Sequence, residues 1–127
     1  FLQRKLKPYA DNLKHVVKDT KEYVTGLRDL NAAIDDFSDV HSINLDVENM
    51  YPSISHEFGL RNVMKELLEM GMEPDEVDMV IAGCKLMLKN CYAKFDGDIY
   101  HVDDGGSMGP RFMPGYTDIA MVRFDKL

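Results

Sequence analysis

The sequence lacks the features of several protein classes, and each absence narrows what the chain can be. Two cysteines, Cys84 and Cys91, are too few for a disulfide framework or a zinc site. No apolar stretch approaches the ~18 residues of a membrane span. Residues 1–15 carry charges where a signal peptide is apolar. We therefore expect an intracellular chain without a membrane segment.

The common catalytic and metal-binding motifs are absent as well. No Gly-Lys-Ser/Thr follows the glycines, which excludes a Walker A loop. The acidic group lacks EF-hand spacing and its closing glutamate; it consists of Asp96, Asp98, Asp103 and Asp104. The four histidines show no metal-ligand spacing and no pairing with a nucleophile, so a hydrolytic triad is unsupported.

What is present is a globular composition with an uneven charge. The 127 residues suit a single domain, with 45% hydrophobic and 29% charged residues. The net charge is −7, but residues 1–28 carry +4 and residues 29–127 carry −11. The basic quarter, with Arg4, Lys5 and Lys7, is predicted to contact nucleic acid, because basic groups must be concentrated to bind phosphate. A solvated helix face is the alternative.

Hydrophobic periodicity predicts an α+β fold with an antiparallel sheet packed on helices. The predicted elements, in order, are helices near 2–9 and 20–34, a strand at 42–48, helices at about 55–70 and 74–90, a hairpin around Asp96-Gly97, a glycine stretch at 103–110, and a helix from about 112–115 to the end. In the strand, Ile43, Leu45 and Val47 alternate with polar residues, which is typical of a half-buried strand.

Two segments have the residue types that nucleotide chemistry needs. Asp46, near the end of the predicted strand, offers a carboxylate of the kind that Mg²⁺ prefers, and Tyr51 follows five residues later. Two-metal phosphoryl transfer needs at least one more carboxylate. The glycines at 105, 106 and 109 permit close approach of a ligand to the backbone. The alternatives are the solvated face of a strand and a plain loop.

Together these segments resemble a reverse transcriptase, most closely the Penelope-like retroelement type. Residues 42–54, with Leu-Asp-Val, three residues, an aromatic and a Ser-Ile stretch, are similar to the first palm motif of that family. Residues 104–109, followed by Pro114, are similar to the second, and the predicted hairpin fits between them. The resemblance covers about residues 20–127. It implies a right-hand polymerase, with residues 1–40 as a helical fingers-like segment and 41–127 as a partial palm.

The resemblance also implies roles for individual residues. Asp46 would be a catalytic metal ligand, Val47 would offer its carbonyl to the same ion, and Tyr51 would lie beneath the incoming sugar. The loop residues that would meet the nucleotide are Gly105, Gly106, Met108 and Gly109. The implied cofactor is a pair of Mg²⁺ or Mn²⁺ ions, and the implied partners are an RNA or DNA template-primer and a deoxynucleoside triphosphate. In a eukaryotic retroelement the location would be nuclear.

The chain departs from the family pattern in ways that limit the expected function. Pro110-Arg111 follows Met108-Gly109 where the family has Ser-Pro, and Asp118 replaces a frequent asparagine. A second aspartate motif would lie beyond Leu127, and the triphosphate-binding fingers residues before Phe1. We therefore expect a fragment of a polymerase domain that is inactive alone and self-associates through an unpaired strand edge. The alternatives are a non-catalytic module that binds protein or RNA, and another palm-type nucleotidyl transferase.

Overall fold

The computed structural model describes residues 1–14 and 16–125, and these form six helices and one two-stranded antiparallel sheet. The elements are α1 (Leu2–Ala10), α2 (Thr20–Ala33), α3 (Met50–Ser53), α4 (His56–Glu69), α5 (Pro74–Lys89), β1 (Tyr92–Phe95), β2 (Asp98–His101) and α6 (Met113–Asp125). The mixture of helices with a small antiparallel sheet agrees with the predicted α+β class. The predicted continuation of the last helix to the end of the chain lies outside the described residues.

The chain divides into two compact units. One consists of Phe1–Leu13 together with Glu48–Leu127, and the other of Lys14–Val47. The first unit contains every helix except α2, together with the hairpin. The functional division into residues 1–40 and 41–127 stays a prediction.

Local sequence signals set the ends of the central helices. The Ser55 side chain accepts a hydrogen bond from the Phe58 amide and caps α4. Gly71, with φ +86°, follows the end of that helix. Pro74 lies in the first turn of α5, where its missing amide hydrogen is not needed. For α2 the cap is Asp19, whose side chain accepts a hydrogen bond from the Glu22 amide.

The core of the first unit lies where α4 packs against α5 and α6, and where α1 packs against α5 and α6. The side chains that are fully buried there include Leu6, Val63, Leu67, Val80, Cys84, Tyr116 and Ile119. They come from all four helices, so α1 is part of the same core as the helices that follow Glu48. Burial raises the pKa of the Cys84 thiol to about 12, so this buried thiol stays protonated and contributes to packing.

The hairpin forms as predicted, but it does not form a layer covered by helices. Asp96 and Gly97 both have positive φ, the pattern of a two-residue turn that matches strand twist. Tyr92 pairs with His101 and Phe95 with Asp98. All eight strand residues are exposed, so the expected sheet packed on helices is not observed. Neither strand has a further partner in the described part of the chain, and self-association through this edge stays a prediction.

The predicted strand at 42–48 does not form. Residues 41–47 have no regular secondary structure, and Ile43 and Leu45 are 79% and 81% exposed. The physical reason is that a strand needs a hydrogen-bonded neighbour. The only ladder among residues 1–14 and 16–125 joins β1 to β2. Alternation alone therefore gave a wrong prediction here.

The second unit contains α2 and the irregular segments on both sides of it. No residue of α2 is buried, and its predicted apolar stripe is open to solvent: Val24, Leu27 and Leu30 are all exposed. A helix with an exposed apolar stripe presents surface suited to another molecule or segment.

Candidate functional site

The glycine stretch is held against the segment that contains Tyr51. The Gly106 amide donates a hydrogen bond of 2.8 Å to the Tyr51 carbonyl oxygen. Gly105 has φ +78°, and a β-carbon there would lie 2.3 Å from the Pro52 carbonyl oxygen. Only glycine fits this backbone shape and this close approach. The two segments that the sequence singled out separately are therefore in contact within the first unit.

His56, the first residue of α4, fixes the same loop from the other side. Its Nε2 lies 2.8 Å from the Gly105 carbonyl oxygen, so Nε2 carries the proton and donates it. Its backbone amide donates a 2.7 Å hydrogen bond to the Asp104 carboxylate. The amides of His56 and then Gly105 lower the pKa of Asp104, because they stabilise its charged form.

The loop has an anchored half and an open half. Gly105 and Gly106 are buried, and a β-carbon on Gly106 would lie 2.2 Å from the Met113 Cε atom of α6. Met108 is 82% exposed, and no atom lies within 4 Å of the place where a Gly109 β-carbon would be. The open half is thus available to a ligand, while the anchored half fixes its position relative to Tyr51.

Asp46 and Val47 belong to the other compact unit and lie in its irregular segment. The Asp46 side chain is exposed. No cluster of three or more histidine, cysteine, aspartate or glutamate side chains suited to a metal ion occurs in residues 1–14 and 16–125. One carboxylate and one carbonyl do not make up the donor set that two-metal chemistry needs.

The basic residues of α1 are largely engaged with carboxylates. Lys5 Nζ lies 2.5 Å from Glu76 Oε1, and Lys7 Nζ lies 3.0 Å from Asp11 Oδ2. Arg4 lines an open hollow of about 450 Å³ between α1 and the α4–α5 end of the unit. Two of the three predicted phosphate contacts are therefore already ion-paired, and the predicted nucleic-acid surface is left with less free positive charge.

The two departures from the family pattern lie together. Arg111 and Asp118 both line a cavity of about 220 Å³ between α1 and α6, beside Lys7 and Asp11. Beside the hairpin, the Asp103 carboxylate contacts a histidine. His101 has Nε2 2.8 Å from the Lys89 carbonyl oxygen and Nδ1 2.8 Å from Asp103 Oδ1.

Sequence reasoning missed His56 and the anchoring role of Asp104. The roles expected of a histidine were metal ligation and pairing with a nucleophile, whereas His56 donates a hydrogen bond to a backbone carbonyl 49 residues away. A contact over this separation leaves no local pattern in one sequence. Of the other histidines, His15 lies outside the described residues.

Comparisons of the chain with protein-family models, with curated proteins and with solved structures give no match. The similarity to reverse transcriptases thus rests on the motifs and their order, and it stays a prediction. Within residues 1–14 and 16–125, no helix is long and apolar enough to cross a membrane.

Proposed function

We propose that this chain is part of a reverse-transcriptase-like domain in which Tyr51 and the glycine loop contact a deoxynucleoside triphosphate. The observation that supports the proposal is the 2.8 Å hydrogen bond between the Gly106 amide and the Tyr51 carbonyl. The resemblance assigns these residues to two different motifs of one nucleotide site. A nucleotide site requires these two motifs to be neighbours, and the hydrogen bond is what such a site would need.

In this proposal the chain contributes position and shape. The Tyr51 ring would support the sugar and disfavour a 2′-hydroxyl, and the open half of the loop, at Met108 and Gly109, would face the templating base pair. Separately, the resemblance assigns Asp46 and the Val47 carbonyl as ligands of Mg²⁺ or Mn²⁺, an ion that would stabilise charge during nucleotidyl transfer when bound. The parent reaction would be template-directed DNA synthesis.

Nucleotide binding tests the proposal directly. Fluorescent dGTP and GTP would be titrated onto the full chain and onto Tyr51→Ala, with Tyr23→Ala as a control on the exposed face of α2. We expect tighter binding of dGTP than of GTP, a preference that disappears in Tyr51→Ala and persists in Tyr23→Ala. Equal binding of the two nucleotides by the unaltered chain, or none, would refute the nucleotide role.

The chain alone is proposed to be inactive, because the described residues hold no cluster of three or more histidine, cysteine, aspartate or glutamate side chains suited to a metal ion, and two-metal chemistry needs such a ligand set. Primer extension on an RNA or DNA template with Mg²⁺ or Mn²⁺ should therefore give no product above background. Template-dependent synthesis that is abolished by Asp46→Asn would contradict this part of the proposal and strengthen the rest.

A non-catalytic module that binds protein or RNA is the second candidate. The exposed apolar residues of the second unit favour it: Val24, Leu27, Leu30, Ile43 and Leu45. This function predicts that Asp46→Ala leaves partner binding unchanged, whereas substitution of the apolar residues reduces it.

A further inference from the structure

A groove between α4 and α5 lies outside the proposed nucleotide site, apart from His56, which also contacts the glycine loop. It has a volume of about 390 Å³ and lies on the surface of the first unit. Two ladders of residues at i, i+4 and i+8 form its sides. The ladders are His56, Leu60 and Met64 on α4, and Ile81, Lys85 and Lys89 on α5.

The groove is apolar at one end and cationic at the other. Only residues 70–73 join α4 to α5, and the helices pack together, so they run antiparallel. Met64 and Ile81 are therefore nearer the connection, and Lys89 is at the far end beside the start of α4. Arg61 lies on the rim of the groove, and its Nη1 atom is 3.9 Å from Glu57 Oε1. Among the described residues, neither Lys85 nor Lys89 forms an ion pair.

The charge of the groove contrasts with the rest of the chain. Residues 29–127 carry a net charge of −11, yet this rim combines three permanent cations with one carboxylate. Unpaired lysines beside an apolar floor match a partner that has apolar side chains on one turn and carboxylates on a neighbouring one. Each ladder runs from i to i+8, a rise of about 12 Å, which is the length of roughly two helical turns.

We propose that the α4–α5 groove binds an acidic amphipathic helix of a partner protein. Leucine-like side chains of that helix would fill the space beside Leu60, Met64 and Ile81. Its carboxylates would pair with Lys85 and Lys89. This is the helix-in-groove mode of peptide recognition, with charge setting the direction of the bound helix. The proposal does not depend on nucleotide binding, since it uses neither Tyr51 nor the glycine loop.

The test uses a labelled 16-residue helical peptide with leucines at positions i and i+4 and glutamates at i+7, i+8 and i+11, all on one face of the helix. Fluorescence anisotropy would measure its binding to the full chain. We expect at least a tenfold loss of affinity in Lys85→Glu/Lys89→Glu and little change in Lys65→Glu, an exposed α4 position outside the groove. A peptide with lysines in place of its glutamates should regain affinity for the double variant.

The charge exchange makes the experiment decisive. Circular dichroism would first establish that each variant is folded, and recovery by the lysine peptide is independent evidence that the double variant retains the groove. Met64→Ala should reduce binding of both peptides, because it alters the apolar end only. Equal binding of the glutamate peptide to all variants, or no binding to the unaltered chain, would overturn the proposal. So would stronger binding of a single-stranded RNA oligonucleotide that the Lys85→Glu/Lys89→Glu change abolishes.

Discussion

The imidazole Nε2 of His56 lies 2.8 Å from the carbonyl oxygen of Gly105, and this hydrogen bond connects the start of α4 to the glycine loop. The same loop also contacts the first motif, because Gly105 lies against Pro52 and the Gly106 amide binds the Tyr51 carbonyl. His56 is therefore a positioning residue for the proposed nucleotide site, and it acts through the loop.

Substitution of His56 by alanine should loosen the loop without unfolding the unit. Loss of one part-buried hydrogen bond lowers the free energy of unfolding by about 0.5–1.5 kcal/mol, while the backbone bond to Asp104 remains. Chemical denaturation measures the stability, and amide hydrogen exchange at Gly106 measures the loop. Exchange at Gly106 that is no faster than in the unaltered chain would contradict this role.

Two glycines of the same loop should respond differently to alanine. Gly105→Ala places a side chain at φ +78° and against the Pro52 carbonyl, and the backbone conformation alone costs about 1–2 kcal/mol. We expect a loss of at least about 2 kcal/mol of unfolding free energy. Gly109→Ala is the matched control, since it meets nothing within 4 Å, and its effect should stay within about 0.5 kcal/mol. Equal effects in thermal or urea denaturation would show that the loop is not anchored as described.

The Asp104 carboxylate should make the loop sensitive to acid. Its pKa is lowered from the ordinary value of 3.8 by the amides of His56 and Gly105. A depressed pKa means that the stabilisation is present above the unfolded-state pKa and is lost as pH falls through the folded-state value. The stability difference between the unaltered chain and Asp104→Asn should therefore be constant from pH 7 to about 5 and shrink below pH 4. A difference that grows at lower pH would be inconsistent with this arrangement.

His101 should make the stability of the hairpin depend on pH in the opposite direction. The Lys89 carbonyl and then Asp103 raise its pKa above the ordinary 6.5, because both ring nitrogens face acceptors and only the imidazolium donates to both. The contribution of His101 to the free energy of unfolding is complete below pH 6.5. It is lost as the pH rises through the raised folded-state pKa. NMR titration of the His101 ring should show a midpoint above 6.5 that falls in Asp103→Asn. A midpoint unchanged by that substitution would contradict the ion-pair contribution.

Much of the fold could be predicted because its signals are local. The Ser55 cap, Pro74 in the first turn of α5 and the Asp96-Gly97 turn each specify backbone shape within a few residues. The strand prediction for residues 42–48 was wrong because alternation describes only the side chains of a strand. Strand formation also needs a hydrogen-bonded neighbour.

For the candidate site, the sequence indicated Tyr51 and the glycine loop as separate features. Their contact, and the part of His56 in it, depends on packing between segments about 50 residues apart. No local pattern encodes such a contact, so the sequence could supply the residues but not their arrangement.

The most direct test of the central claim is an NMR titration of the isotope-labelled full chain with dGTP. The account predicts that amide shifts move together at Tyr51 and across residues 105–109, that GTP moves them less, and that Tyr51→Ala abolishes the movement in the loop. Shift changes confined to other surfaces, or no changes while the chain remains folded, would contradict the claim that Tyr51 and the loop form one nucleotide site.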